Sequence, residues 1–488
     1  MQNATTTHTP SVKVTVYIVS RNYGRFLEEA IESVLQQSMD QWELLLIDDY
    51  SSDATQEIMK RYANLQNVSL MQAGGRGLVK AANLAIENAR GRYIIRLDAD
   101  DVFDENILLV LSNHLDNNPN TALVFPDYYL MDEYGHVFAN ERREQVHYKN
   151  HMQDLPPHGA CTMMRVDALR EVGGYDEEIK ANDGYYIWTK LREKHRCSNI
   201  NLPLFYYRRH GSNLTNNPER ILQARRSIKR ESCSKALKTC GPITAIIPCR
   251  QNFDIQPDLW SLEVAGKSLL QIAIEKCLAS DLFEYVVVTS DTERVHSVMD
   301  KFQDERLVFV PRTGISTIPS RPLAETLEHV LRTMRCLESG ISVLSYIQSP
   351  LTSTGTLEEA VYTVLANDAD SSFTAEEIDM PLFSRTPHGL IQINSTGYLY
   401  SDFNVIYREL KNAFAVRNRC IYQGSLTGSK TVHYMVSQNE SFFLSSKIDI
   451  LIAETILKAS MTAEEQEEFE RQMKYNEENA FLKLVKTQ

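Results

Sequence analysis

The segment RYIIRLDADDVF (92–103) places Asp98, Asp100 and Asp101 directly behind an apolar run. Crowded carboxylates repel one another, and each wants water or a counter-charge. In an extended segment alternate side chains point the same way, so Asp98 and Asp100 offer oxygens to one side, with Asp101 beside them. Such oxygens suit Mg²⁺ or Mn²⁺, which retain waters and also take phosphate oxygens. A cation on a diphosphate improves it as a leaving group by neutralising the charge that develops. Asp48 and Asp49 in LLIDDYSSD and Asp183 in ANDGYYIW are further carboxylates at the edges of apolar runs. The plainer reading of each is a solvated turn or a helix cap, which acidic residues also favour.

The elements that must position these residues alternate. VKVTVYIV (12–19) reads as a strand and FLEEAIESVL (26–35) as a helix. WELLLIDD (42–49) is a second strand, and SSDATQEIMKRYA (51–63) a helix opened by capping residues. VSLMQA, LVKAANLAIENA and RYIIRLD repeat the pattern. The expectation is a mostly parallel sheet covered on both faces, with ligands beyond the carboxyl ends of its strands. Asp48, Asp49, Asp98 and Asp100 close two of those strands and should meet on one edge.

A basic stretch, PERILQARRSIKRESCSKALKTCGP, follows and reads as a helical connector. Its cations suit a solvated face or contact with an anionic membrane surface. At 243 a second alternation begins with ITAIIP, a helix over 268–280 and the strand YVVVTS. A helix near 293–303, the strand RLVFVP, a helix near 322–338 and the strand SVLSYIQ come next. MTAEEQEEFERQMKY opens the tail with Thr462 and Glu465 at capping-box spacing. The divisions are therefore a disordered leader (1–11), a first domain (12–216), a helical linker (217–242), a second domain (243–458) and a C-terminal helical tail (459–488).

A formal net charge of -13 argues against an extended nucleic-acid surface. The 8 cysteines stand singly with no CxxC pair, which points away from structural zinc and toward a reduced, cytoplasmic setting. No apolar run approaches the roughly 18 residues that span a bilayer, so membrane contact would be peripheral, at the inner face.

Taken in order, IDDYSSD, GGRGLVKAAN (74–83), LDADD, GGYDEEIKANDGYYIW (173–188) and YYRRHGS (206–212) resemble the family-2 glycosyltransferases of the GT-A fold. The resemblance covers roughly residues 12–217. It implies a metal-dependent inverting transfer of sugar from a nucleotide-sugar donor to a hydroxyl acceptor on a surface glycan, a lipid-linked glycan or a protein. It implies that Asp48 and Asp49 read the donor's nucleobase and ribose, and that Asp98, Asp100 and Asp101 hold Mg²⁺ or Mn²⁺ and the diphosphate. Asp183 matches the catalytic base and His210 a late histidine near the metal. Two departures stand out. Asn182 replaces an acidic neighbour of the base, and Ala82 replaces an arginine whose charge Lys80 or Arg76 would supply. The loop 141–160, with His147, His151 and His158, suits an acceptor-side loop or a plain polar surface loop.

In the second half IIPCRQNFD, VAGKSLLQIAIEKCLAS, YVVVTSD and YIQSPLTSTGTLEEAV resemble the cytidylyltransferases that activate acidic nine-carbon sugars to CMP-sugars. Arg250 and Lys267 are its candidate ligand residues. Where that family carries small residues and a cation this chain has Phe253 and Asp254, and Phe442, Phe443 and Leu444 stand where paired carboxylates belong. Rings cannot ligate Mg²⁺, and Asp254 repels a triphosphate. The fold class is thus α/β, with two Rossmann-like domains: a GT-A nucleotide-diphospho-sugar transferase fold, then a cytidylyltransferase-like domain without its chemistry. That second domain would serve a homo-oligomer. The competing readings are a bifunctional enzyme that also makes a CMP-activated acidic sugar, and a non-catalytic scaffold.

Overall fold

The computed structural model describes residues 12–142, 158–179, 181–211, 213, 218–312, 322–378, 380–393 and 406–459. The leader, most of the loop with His147 and His151, and the tail beyond 459 lie outside the described residues. The chain divides into two compact units, Met1–Ile228 with Asp379–Val405, and Lys229–Ile378 with Ile406–Gln488.

The first unit is built on β1 (Val14–Ser20), β2 (Trp42–Asp48), β3 (Val68–Gln72), β4 (Tyr93–Asp98), β5 (Val102–Phe103), β6 (Thr121–Met131), β7 (Val137–Glu141), β8 (Met163–Arg165) and β9 (Arg196–Arg208). Among the described residues the sheet order is β3-β2-β1-β4-β8-β6-β9-β5, with β7 on β6. Strands β1 to β4 are parallel. Both faces are covered, because alternate residues of β1 enter different cores: Val14, Val16 and Ile18 on one side and Tyr17 on the other. The expectation of a mostly parallel sheet is corrected beyond β4. There β8 runs antiparallel to both β4 and β6, while β6 and β9 are parallel. A strand as short as MMR carries no pattern that announces its direction.

Among the described residues the second unit has a seven-stranded sheet in the order 307–311, 285–290, 243–248, 341–345, 407–417, 371–377, 431–435. The first four strands are parallel, and 407–417 runs against both its neighbours. The helix expected near 293–303 is only a 3₁₀ turn, Glu293–Val295, and a single helical turn, His296–Met299.

The basic linker is two helices, Pro218–Ser232 and Ser234–Thr239. It is not simply a solvated face. Lys229 is buried, and its Nζ donates to Glu359 Oε1 at 3.1 Å and Thr363 Oγ1 at 3.0 Å. A buried ammonium persists only with such partners. Among the described residues no helix is long and apolar enough to cross a membrane.

Candidate functional site

The carboxyl edge of the parallel strands gathers the acids. Strand β1 lies between β2 and β4, with Ser20 opposite Asp48 and Val19 opposite Asp98. In open α/β sheets ligands bind beyond this edge. Alternation on β4 puts Ile94, Arg96 and Asp98 on one face, and Tyr17 stands opposite Arg96 in register.

Arg96 ties the site together. It is buried, its Nε lies 2.9 Å from Asp98 Oδ1, and its Nη1 donates to Asp183 Oδ2. Asp183 opens the helix Asp183–Lys194, behind Asn182 in the left-handed region at φ 57°. Asp98 and Asp183, distant in sequence, are therefore neighbours through one guanidinium. Burial, then Asp100 and Asp183, push the Asp98 carboxyl up to about 6 against the pull of Arg96.

Asp100 Oδ2 lies 2.8 Å from His210 Nε2, and His210 stacks on Phe26 at 5.1 Å between ring centres. Asp101 turns inward. Its Oδ1 accepts from the Arg208 backbone N–H at 2.8 Å, while its buried Oδ2 has no hydrogen-bond partner. Burial and the neighbouring Asp100 and Asp98 raise its carboxyl well above the usual range. Arg208 fixes this turn by donating from Nε to the Asp100 carbonyl at 2.8 Å and from Nη2 to Glu29 at 2.6 Å. A cleft of about 550 Å³ opens here, lined in part by Arg21, Tyr23, Phe26, Glu133 and His210. Burial and then Asp100, Asp98 and Asp101 push the Tyr23 phenol up to about 12.

The acids of β2 divide their labour. Asp48 closes a turn by accepting from Ser51 N at 3.1 Å and from Gln56 Nε2 at 2.8 Å. Asp49 Oδ2 accepts from Gly77 N at 3.0 Å, and its buried Oδ1 is left without a partner. Of the pair, Asp49 alone keeps an oxygen without a hydrogen bond. Gly77 sits at φ 89°, a backbone state that favours glycine. Arg76 is exposed in the same turn, and Lys80 pairs with Glu177 Oε2 at 3.2 Å. Ala82 is buried in the core, where a charge would need buried partners of its own.

Two residues that sequence reasoning missed lock these motifs. Asn83 exchanges both amide hydrogen bonds with the Tyr175 backbone, at 2.9 and 2.8 Å, joining the glycine-bearing helix to the GGYDE segment. Arg96 was hidden in an apolar strand. Its signal was an arginine on the same face as Asp98, since a buried guanidinium needs carboxylates.

In the second unit Arg250 lies over the Phe253 ring at 5.4 Å, and Lys267 pairs with Glu275 Oε2 at 2.7 Å. Leu444 is fully buried, and Phe442 packs against the same core. Among the described residues no three His, Cys, Asp or Glu side chains form a ready cation cage.

The family model described as glycosyl transferase family 2 matches residues 15–173, a span that holds Asp48, Asp49, Asp98, Asp100 and Asp101 and stops before Asp183 and His210. The first unit carries a glycosyltransferase family 2 domain. This chain is 25% identical over 201 residues to the chondroitin synthase of Escherichia coli, covering 41% of this chain and 29% of that protein. It is 24% identical over 215 residues to the hyaluronan synthase of Pasteurella multocida, covering 41% and 21%. The chain thus spans less than a third of either relative. Among solved structures, S. aureus TarS 1–349 in complex with UDP-GlcNAc aligns with a TM-score of 0.39 and 19% identity, over 45% of this chain and 66% of that one.

Proposed function

We propose that the first unit is an inverting glycosyltransferase. It moves a sugar from a nucleotide-sugar donor to a hydroxyl of a surface glycan, a lipid-linked glycan or a protein. The observation that carries this reading is the meeting of Asp98 and Asp183 on Arg96 at the carboxyl edge of the sheet. Asp183 is the base. The acceptor oxygen bonds to the sugar's anomeric carbon as the bond from that carbon to the diphosphate oxygen breaks. The electron pair leaves with the diphosphate, and the acceptor's proton passes to Asp183.

The residues fit a divalent cation, Mg²⁺ or Mn²⁺. Arg96 pairs with Asp98 and Asp183, Asp100 has His210 beside it, and Asp101 Oδ2 is a buried acceptor with no partner. A site completed by diphosphate oxygens and water needs no third protein ligand. Asp98 and Asp100 would hold the ion, Asp101 would add charge behind them, and His210 would orient Asp100. When bound, the ion neutralises the charge that gathers on the departing diphosphate. Asp49, through its free Oδ1, reads the donor nucleoside. Arg76 and Lys80 face the diphosphate, Lys80 by exchanging its contact with Glu177.

The second unit is proposed to be non-catalytic. Supporting this, Phe253 is stacked beneath Arg250 where a triphosphate loop would need small residues, and Leu444 is core. Release of pyrophosphate from CTP and an acidic sugar would instead establish the bifunctional reading. Oligomerisation through this unit belongs to the same proposal. It is supported by Ile448, Leu451 and Ile452, exposed at helical spacing on Lys447–Ala459.

The transferase is tested by incubating the full chain with Mn²⁺ and UDP-, GDP-, dTDP- and CMP-sugars. Slow consumption of one donor is expected. Consumption of none, with or without candidate acceptors, contradicts the reading and favours the scaffold.

A further inference from the structure

We propose that Arg96 is a positioning residue for Asp183, holding its carboxylate beside Asp98 so that proton removal and diphosphate departure are served within one cleft. The inference rests on the transferase reading and goes beyond it. A guanidinium inside an apolar strand is costly unless its donors are used. Here one guanidinium faces two carboxylates: Nη1 donates to Asp183, while Nε lies 2.9 Å from Asp98 Oδ1 as an ion pair without a hydrogen bond of its own. Only arginine offers that geometry, because a lysine ammonium is a point charge on a flexible stem.

The surroundings fix the fork. A Cβ built at Gly159 would lie 2.5 Å from Arg96 Nη2 and 3.2 Å from its Cζ, so the missing side chain there is what makes room. On another flank Tyr17 stands opposite Arg96 in the sheet, and Asn83 holds the backbone of Tyr175 from both ends. Asp183 sits at the first turn of its helix and would have several rotamers open to it without this partner. Misplacing a reacting group by an ångström costs on the order of 100-fold in rate.

The test uses the full chain, Mn²⁺ and the donor that the panel identifies, with steady-state kinetics, thermal melting and binding of the matching nucleoside diphosphate. Arg96→Gln is expected to lower kcat by about 100-fold while donor KM and nucleotide affinity stay within about threefold. Arg96→Lys is expected to recover about tenfold of that loss, since it keeps the charge but not the fork. Gly159→Ala keeps every charged side chain in the sequence and displaces only the Arg96 fork. It should lower kcat by about tenfold at unchanged KM, and it carries the test if Arg96→Gln does not fold. An active wild type whose kcat is indifferent to both Arg96→Gln and Gly159→Ala overturns this inference alone. So does a loss that falls on KM rather than kcat, or a lysine variant no better than glutamine. A wild type that consumes no donor overturns the transferase reading together with it.

Discussion

Arg96 donates to Asp183 across 87 residues of sequence, and the same guanidinium lies 2.9 Å from Asp98. That single side chain turns two separate motifs into one site. It also accounts for the crowding in LDADD. Asp98 has a cation behind it, Asp100 has His210, and Asp101 is tied to the Arg208 backbone. These partners offset the crowding only in part, since burial and the neighbouring acids still raise the Asp98 and Asp101 carboxyls.

Tyr50 is one of the non-glycine residues held in the left-handed region. It follows Asp49 at φ 67°, in the left-handed region, with its ring 75% exposed. A side chain there costs about 1–2 kcal/mol, and glycine returns part of that as chain entropy. Tyr50→Gly is therefore expected to stabilise the first unit by about 0.5–1 kcal/mol, read from thermal melting. A loss of stability would mean that the ring packs on something its exposure does not show.

Asp370 staples the second unit. Its carboxylate accepts from Ser429 N and Oγ at 2.8 and 2.7 Å and pairs with Arg419 at 2.7 Å. The Arg419 and Ser429 hydrogen bonds hold its carboxyl far below the usual range. A depressed carboxyl contributes stability above its unfolded value near 3.8 that is lost as pH falls through the lower folded value. Asp370→Asn is expected to cost about 2–4 kcal/mol at neutral pH by denaturant titration and to flatten the acid limb. An unchanged midpoint would show the network to be dispensable.

Lys276 has the same sign of pH dependence in an alkaline window, where losing the proton relieves a cost of burial. Burial pulls its ammonium down to about 8, and its Nζ donates to the Ser349 carbonyl at 2.8 Å. Between that value and the ordinary 10.5 the unfolded chain holds a proton that the folded chain has lost. Stability contributed by this group therefore rises with pH across that window. The difference in melting temperature between wild type and Lys276→Met, followed from pH 7.5 to 10, is expected to move in the wild type's favour. A flat difference would place the ammonium charged throughout.

The alternation of strands and helices was legible because period-two and helical patterns are strong in 12–98, and the acids were legible because each ends an apolar run. What escaped were residues whose partners lie far along the chain. Arg96 and Lys276 are charged residues inside apolar patterns and Lys229 is one cation of a basic run, and only the fold shows that Asp183, the Ser349 carbonyl and Glu359 receive them. The direction of β8 escaped because three residues carry too little pattern. The division between Asp48 and Asp49 escaped because both are acidic. Backbone geometry decides that the first closes a turn and the second keeps a free oxygen.

The most direct measurement is single-turnover consumption of the identified donor, with acceptor or water, by wild type and Asp183→Asn at equal nucleotide occupancy. The account expects the variant to bind the donor nucleotide as wild type does and to react about 10²–10⁴-fold more slowly. A variant that turns over at the wild-type rate would contradict it.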